Sequence, residues 1–172
     1  MDFIELFYEN PEKSFYLRQI SKLTGTPKTT CARILKNLVN KKLILRKKSE
    51  PNDVYTANNS FLFRFYKKYS IIEKIIKSGL IDYIADKTLC RGIILFGSCS
   101  KGEYDKDSDI DLLVLAPEQP LDLKKFRLKH QINLLFSENI RDLSEELRNN
   151  VINGDKLYGY LKWSDAGSTS KA

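Results

Sequence analysis

Apolar residues recur at three- and four-residue intervals over the first half of the chain and gather into short unbroken runs over the second. The first spacing is that of helices buried on one face, the second that of buried strands. Phe3, Ile4, Phe7 and Tyr8 predict a short helix over 2–9, stopped near Asn10-Pro11. A second helix is expected from Leu17 to Leu23, with Ile20 and Leu23 inward. Thr24-Gly25-Thr26 is a tight turn. Thr26 then suits an N-cap and Pro27 the first helical position of a third helix, running to about Asn40. Its apolar stripe is Cys31, Ile34, Leu35 and Leu38. Residues 43–57 read as strand, polar turn over Ser49–Asp53, and strand. Residues 60–78 read as one long helix capped by Ser60, with Phe61, Phe65, Tyr69, Ile72 and Ile76 in a stripe. That stripe suits a packed linker helix or a dimer seam better than base stacking. Gly79 ends it, and 80–86 form a shorter helix.

In the second half, the run from Gly92 to Phe96 is a buried strand, broken by Gly97-Ser98. Ten residues rich in Gly, Ser, Lys and Asp read as a phosphate-sized loop. Asp109-Ile110-Asp111 then opens a second apolar run, Leu112 to Leu115. A short basic helix is expected over 121–129, a third strand over 131–137, and a helix over 139–152 with Ile140, Leu143, Leu147 and Val151 inward. Gly154 ends that helix, and Lys156–Tyr160 is extended. Residues 164–172, rich in Ser, Gly, Ala and Lys, read as a disordered tail.

Alternate residues of a strand share a face, so Asp109 and Asp111 point the same way. Two such carboxylates repel unless a cation lies between them. Hard oxygen ligands of this kind suit Mg²⁺ (or Mn²⁺), whose shell is completed by waters and substrate phosphates. Gly97 allows close backbone approach to a ligand, and Ser98 offers an N–H and a hydroxyl. Taken singly, a DxD pair is a solvated turn and a Gly-Ser pair only a turn. Their joint spacing between two apolar strands is what points to a site. The loop lacks the Walker A pattern, since Lys101 precedes Gly102.

Gly97-Ser98, ten residues, then Asp109-x-Asp111 resembles the signature of the minimal nucleotidyltransferases of the DNA polymerase β-like superfamily, over about residues 80–160. The resemblance implies a small mixed sheet flanked by helices. It also implies Mg²⁺ on Asp109 and Asp111 as the catalytic pair, and a nucleoside triphosphate at Gly97 and Ser98. Lys101 is either a phosphate contact or a solvated loop lysine. Ser108, with Asp107, shapes the loop before the pair and joins the nucleotide-binding candidates. The superfamily's third carboxylate comes from the strand after the crossover. Here that strand is 131–137, and the position in line is Asn133, which carries no charge and is no base. Asp105, Asp107 or Glu138 could substitute, although Glu138 alternates to the opposite face.

Two short helices, a glycine turn and a third helix with a basic polar face make a helix-turn-helix pattern. With the hairpin at 43–57, residues 1–58 resemble the winged helix-turn-helix family. That implies double-stranded DNA contacted through Lys28, Thr29, Arg33 and Lys36 on the third helix and Lys47 and Lys48 on the wing. A dimerisation or partner-docking module is the alternative. Lys42 stands where a helix-ending glycine is usual.

Composition bounds these readings. The net charge of +7 is uneven: residues 1–60 carry 11 Lys and Arg against 6 Asp and Glu, whereas 91–172 carry 12 against 13. The basic excess sits in front, where a nucleic-acid surface is expected. No apolar run spans a bilayer, and MDFIELFYEN lacks the basic start of a secretory signal. Three widely spaced cysteines fit neither a disulfide framework nor a zinc site and favour a reducing cytoplasm. The single histidine, His130, leaves little for His-based chemistry.

The expected fold is α+β: a winged helix-turn-helix over 1–58, a linker helix over 59–79 and a small mixed-sheet nucleotidyltransferase-like domain over 80–163. The expected function is Mg²⁺-dependent transfer of a nucleoside monophosphate to an acceptor hydroxyl, with a DNA-binding module, a protein acceptor or toxin partner and a homodimer as further candidate associations. The alternative is a DNA-binding regulator or antitoxin-like protein whose nucleotidyltransferase domain is degenerate but binds nucleotide.

Overall fold

The computed structural model describes residues 3–50 and 52–161; Pro51, and the tail expected over 164–172, lie outside the described residues. The fold is α+β, with two small sheets and seven α-helices among the described residues. It divides into two compact units, residues 1–67 with 104–106, and residues 68–103 with 107–172. No helix among the described residues is long and apolar enough to cross a membrane.

The first unit opens with α1 (Phe3–Glu9), whose Phe3, Leu6, Phe7 and Tyr8 are buried. A two-residue strand, β1 (Phe15–Tyr16), leads into α2 (Leu17–Thr24). This strand is too short to leave an alternation signal; it exists because Phe15 and Tyr16 pair with Tyr55 and Val54. Gly25, at φ 65°, ends α2 in the left-handed conformation that a helix C-terminus favours. Leu23, expected inward, is exposed; of α2 only Ile20 is buried. The third helix, α3 (Lys28–Asn40), begins one residue later than expected, with Pro27 in the cap position in place of Thr26. Its Cys31 and Leu35 are fully buried. Lys42 takes a φ of 57°, the left-handed turn the sequence assigned to a residue without glycine's freedom. Strands β2 (Ile44–Lys47) and β3 (Val54–Ala57) form a hairpin, and β3 lies between β1 and β2 in an antiparallel sheet.

Helix α4 (Phe61–Lys77) forms as expected but buries a different stripe. Phe63, Lys67, Ile71 and Ile75 are buried, whereas Phe61 is 78% and Tyr69 53% exposed. Both stripes have helical spacing, so periodicity could not choose. The buried one was hidden because it contains a lysine. Lys67 is accommodated within the first unit by the ring of Tyr104, 4.5 Å from its Nζ, and Tyr104 donates its hydroxyl proton to the Lys67 carbonyl at 3.2 Å.

The second unit continues through α5 (Leu80–Thr88) to a mixed sheet of order β6-β5-β4-β7. Strands β4 (Gly92–Phe96) and β5 (Ile110–Val114) are antiparallel and almost wholly buried, which is why both read as continuous apolar runs. Strand β6 (Ile132–Phe136) runs parallel to β5, and β7 (Asp155–Gly159) pairs antiparallel with β4. One face packs Ile94, Leu113 and Leu115 against Ile140 and Val151.

Three expectations are corrected here. Residues 97–101 are not loop but a short helix, α6 (Gly97–Lys101), too brief for any periodicity to reveal. Residues 121–129 form no helix. Their backbone is held by turns, by the Asp122 N–H donating to the Tyr83 hydroxyl at 3.2 Å and by Lys125 lying 3.3 Å from the centre of the Tyr83 ring. The helix expected over 139–152 is split into a 3₁₀ turn at Ile140–Asp142 and α7 (Glu145–Ile152). Ser144 makes the break, its side chain accepting from the Leu147 N–H as an N-cap.

Candidate active site

The register of three strands assembles the site. Phe96 at the end of β4 faces Asp111 of β5, and Asp111 faces Asn133 of β6. Asp109, immediately before β5, lies on the same face as Asp111 by alternation. The three side chains meet: Asn133 Nδ2 donates to Asp109 Oδ2 at 3.0 Å and to Asp111 Oδ1 at 3.2 Å. An ionised carboxylate can only accept, so the amide offers its NH₂ end to both.

Gly97 completes the arrangement. Its φ is 72°, and a Cβ built there would stand 2.6 Å from Asp111 Oδ2. No side chain fits between backbone and carboxylate. Gly97→Ala should therefore cost about 1–3 kcal/mol of stability through left-handed strain and the displaced acid. Thermal melting of the variant beside the wild type checks it.

Around this centre the loop is pinned at several points. Cys99 Sγ, fully buried, donates to the Asp109 carbonyl at 3.2 Å, and Ser100 Oγ donates to the Gly97 carbonyl at 2.9 Å. His130 Nδ1 lies 2.7 Å from the Ser108 carbonyl, tying the residue before Asp109 to the start of β6. Ser98, half-buried, follows Gly97 in α6, and its carbonyl accepts from the Glu103 N–H at 2.9 Å. Ser108 is adjacent to the pair in sequence, and its carbonyl lies against His130 Nδ1. Lys101 is exposed, and its amine reaches Asn150 of α7 at 3.4 Å. The structure thus brings Gly97, Asp109, Asp111 and Asn133 together, and it places the Lys101 amine against Asn150.

Sequence reasoning missed Gln131. Its Nε2 donates to Asn133 Oδ1 at 3.1 Å. The two-residue spacing that paired Asp109 with Asp111 also places Gln131 beside Asn133, so the signal was present. Cys99 was missed for a different reason: nothing in sequence distinguishes a cysteine that holds a loop from one that fills a core.

Among the described residues no group of three or more His, Cys, Asp and Glu side chains is placed to hold a metal ion. The metal-facing oxygens are those of two carboxylates, to which the Asn133 amide turns its NH₂ end. That fits a single Mg²⁺, which is commonly held by one or two carboxylates with phosphates and waters.

Residues 77–153 match the family model of the nucleotidyltransferase domain. That match supports a nucleotidyltransferase domain in this part of the chain. A relative in Methanocaldococcus jannaschii, named "Putative protein adenylyltransferase MJ0141", is 54% identical over 49 residues. The similarity covers 28% of this chain and 48% of the relative, so the chain spans about half the length of that protein. No solved structure shows a significant match.

The candidate DNA-contacting residues lie in the first unit. Lys28, Thr29, Arg33 and Lys36 are exposed on α3, and Lys47 and Lys48 are exposed at the end of β2 and just beyond it. Arg46 is different. Its guanidinium is ion-paired with Asp53 across the hairpin, which raises its pKa above the ordinary value, chiefly through that hydrogen bond.

Proposed function

We propose that this chain is a Mg²⁺-dependent nucleotidyltransferase joined to a DNA-binding winged helix-turn-helix module. The observation that carries the catalytic reading is the convergence of Asp109 and Asp111 on one point beside a glycine whose backbone lies against Asp111. Asp109 and Asp111 would hold the ion, which supplies charge neutralisation for the triphosphate and the departing pyrophosphate. Gly97 lets the backbone lie against Asp111, and Ser98 provides an N–H and a hydroxyl to orient the triphosphate. The acceptor oxygen forms a bond to the α-phosphorus as the bond to the β-phosphate oxygen breaks. The acceptor's proton passes to solvent, because the Asn133 amide cannot take it. Catalysis on this reading is mostly positioning and electrostatics. The name of the M. jannaschii relative supports an adenylyl group as the one transferred and a protein as acceptor. Incubation with Mg²⁺, each labelled nucleoside triphosphate and cell extract tests this: a labelled protein is the expected result, and no labelled acceptor of any kind would count against it.

A second reading, favoured by one observation, is a DNA-binding regulator or antitoxin-like protein with a degenerate site. Asn133 occupies the position where the superfamily resemblance implies a third carboxylate, and it donates hydrogen bonds to the two acids where that carboxylate would hold a metal. On this reading the wild type binds nucleoside triphosphate and transfers nothing.

The DNA-binding part is supported by the three helices followed by a hairpin in the first unit, and by the exposed basic residues of α3. If α3 enters the major groove, Lys28→Ala, Arg33→Ala and Lys36→Ala should each weaken duplex binding. Affinity should fall with salt at a log–log slope of about −0.9 per phosphate contact. Fluorescence anisotropy across a salt series measures this, and salt-independent association would favour a protein-docking module.

A further inference from the structure

Gln131 and Asn133 share one face of the strand edge, and a chain of hydrogen bonds runs through them to the acids. Gln131 Nε2 donates to Asn133 Oδ1 at 3.1 Å, while Asn133 Nδ2 donates to both Asp109 and Asp111. The Asn133 amide is thereby used at both ends. Hydrogen bonds to ionised acceptors are the strong ones, so one NH₂ group serving two carboxylates offsets much of their mutual repulsion.

We propose that Asn133 is an internal stand-in for the cation: its amide clamps Asp109 and Asp111 together in the cation-free protein, with Gln131 as the positioning residue that holds the amide in that orientation. The consequence for metal affinity rests on the reading that the pair holds Mg²⁺. The NH₂ group directs partial positive charge at the same oxygens that would ligate a cation, so the two compete. For Asn133 to offer its oxygen instead, the amide must turn over. It then gives up both bonds to the acids and points its NH₂ toward Gln131. Gln131 is exposed and can answer by presenting its own oxygen. An aspartate at 133 has no such second state, because it can only repel the other two acids until a cation arrives. The chain gives up cation affinity for a site that is ordered before any ion binds.

The test uses the full chain, Mn²⁺ as probe and no nucleotide. Asn133→Ala should melt several degrees lower than wild type in chelator, since the acids lose their common donor. It should bind Mn²⁺ more tightly by about tenfold or more in calorimetry, the equivalent of two lost competing hydrogen bonds. In an Asp109→Asn/Asp111→Asn background the loss of stability should vanish, and a loss that persists means packing alone and overturns the clamp. Gln131→Glu, whose carboxylate can only accept, should draw the Asn133 NH₂ outward and also tighten Mn²⁺ binding. Its simple charge contribution is read in the Asn133→Ala background, where no amide remains to turn; an effect of full size there overturns the positioning role. Weaker Mn²⁺ binding by Asn133→Ala than by wild type would make Asn133 an ordinary oxygen ligand and sink the proposal. If neither protein binds Mn²⁺ but Asn133→Ala still melts lower in chelator, the clamp stands and the Mg²⁺-dependent function falls.

Discussion

Replacing both acids, Asp109→Asn with Asp111→Asn, should abolish nucleotidyl transfer and uncouple metal binding from nucleotide binding. In the wild type, each of Mg²⁺ and nucleoside triphosphate should bind more tightly in the presence of the other, because the triphosphate completes the ion's shell. The double variant keeps side-chain volume but removes both negative charges that converge on Asn133. With no anionic ligand left, the coupling should disappear. Charge stabilisation by a bound ion contributes several kcal/mol to the transition state. Transfer should therefore fall by about a thousandfold or more, since each power of ten corresponds to ~1.4 kcal/mol of barrier. Calorimetry of Mg²⁺ and triphosphate, singly and together, measures the coupling, and a transfer assay measures the rate. Unchanged metal and nucleotide binding would remove Asp109 and Asp111 from the site.

The opposite change at the third position should have the opposite effect. Asn133 faces Asp111 across the parallel β5–β6 pair, so Asn133→Asp puts a third carboxylate against the other two. Without metal, the variant loses two hydrogen bonds to charged acceptors and gains like-charge repulsion. Its stability in chelator should drop by about 2 kcal/mol or more, seen as a melting temperature lower by roughly 4–8 °C for a chain of this size. With Mg²⁺ the order should reverse, because a ligand that binds the folded state stabilises it in proportion to its affinity. A third anionic ligand would also support the ion that activates the attacking hydroxyl. Transfer should then rise by one or more powers of ten. A wild type that binds triphosphate without transfer, together with an active Asn133→Asp, would favour the degenerate-site reading. An active wild type that Asn133→Asp leaves unchanged or impairs would mean that the third-ligand role does not belong to this position.

Much of this architecture is written locally. Strands β4 and β5 were legible because both are buried, so their sequences are unbroken apolar runs. The common face of Asp109 and Asp111 follows from the strand period alone; the alignment of residue 133 with them was implied by the nucleotidyltransferase resemblance and is fixed by the β5–β6 register. The helices of the first unit announce themselves by spacing and by the turn at Gly25. What stayed hidden depended on partners distant in sequence. The two-residue β1 is a strand only because β3 lies beside it. The buried face of α4 was set by where Lys67 and its aromatic neighbour could be accommodated, against a more apolar stripe that stays exposed. Residues 121–129 carry a helix-like basic pattern but are held by Tyr83 in another conformation. The glycine at 97 could be read as permissive. That it is obligatory, with Asp111 Oδ2 occupying the place of its side chain, is a fact of packing. The sequence alone determined which residue types could meet a cation and a triphosphate. Tertiary structure decided that an amide already bridges the two acids, because only the parallel pairing of β5 and β6 brings a donor 22 and 24 residues away to hydrogen-bonding distance.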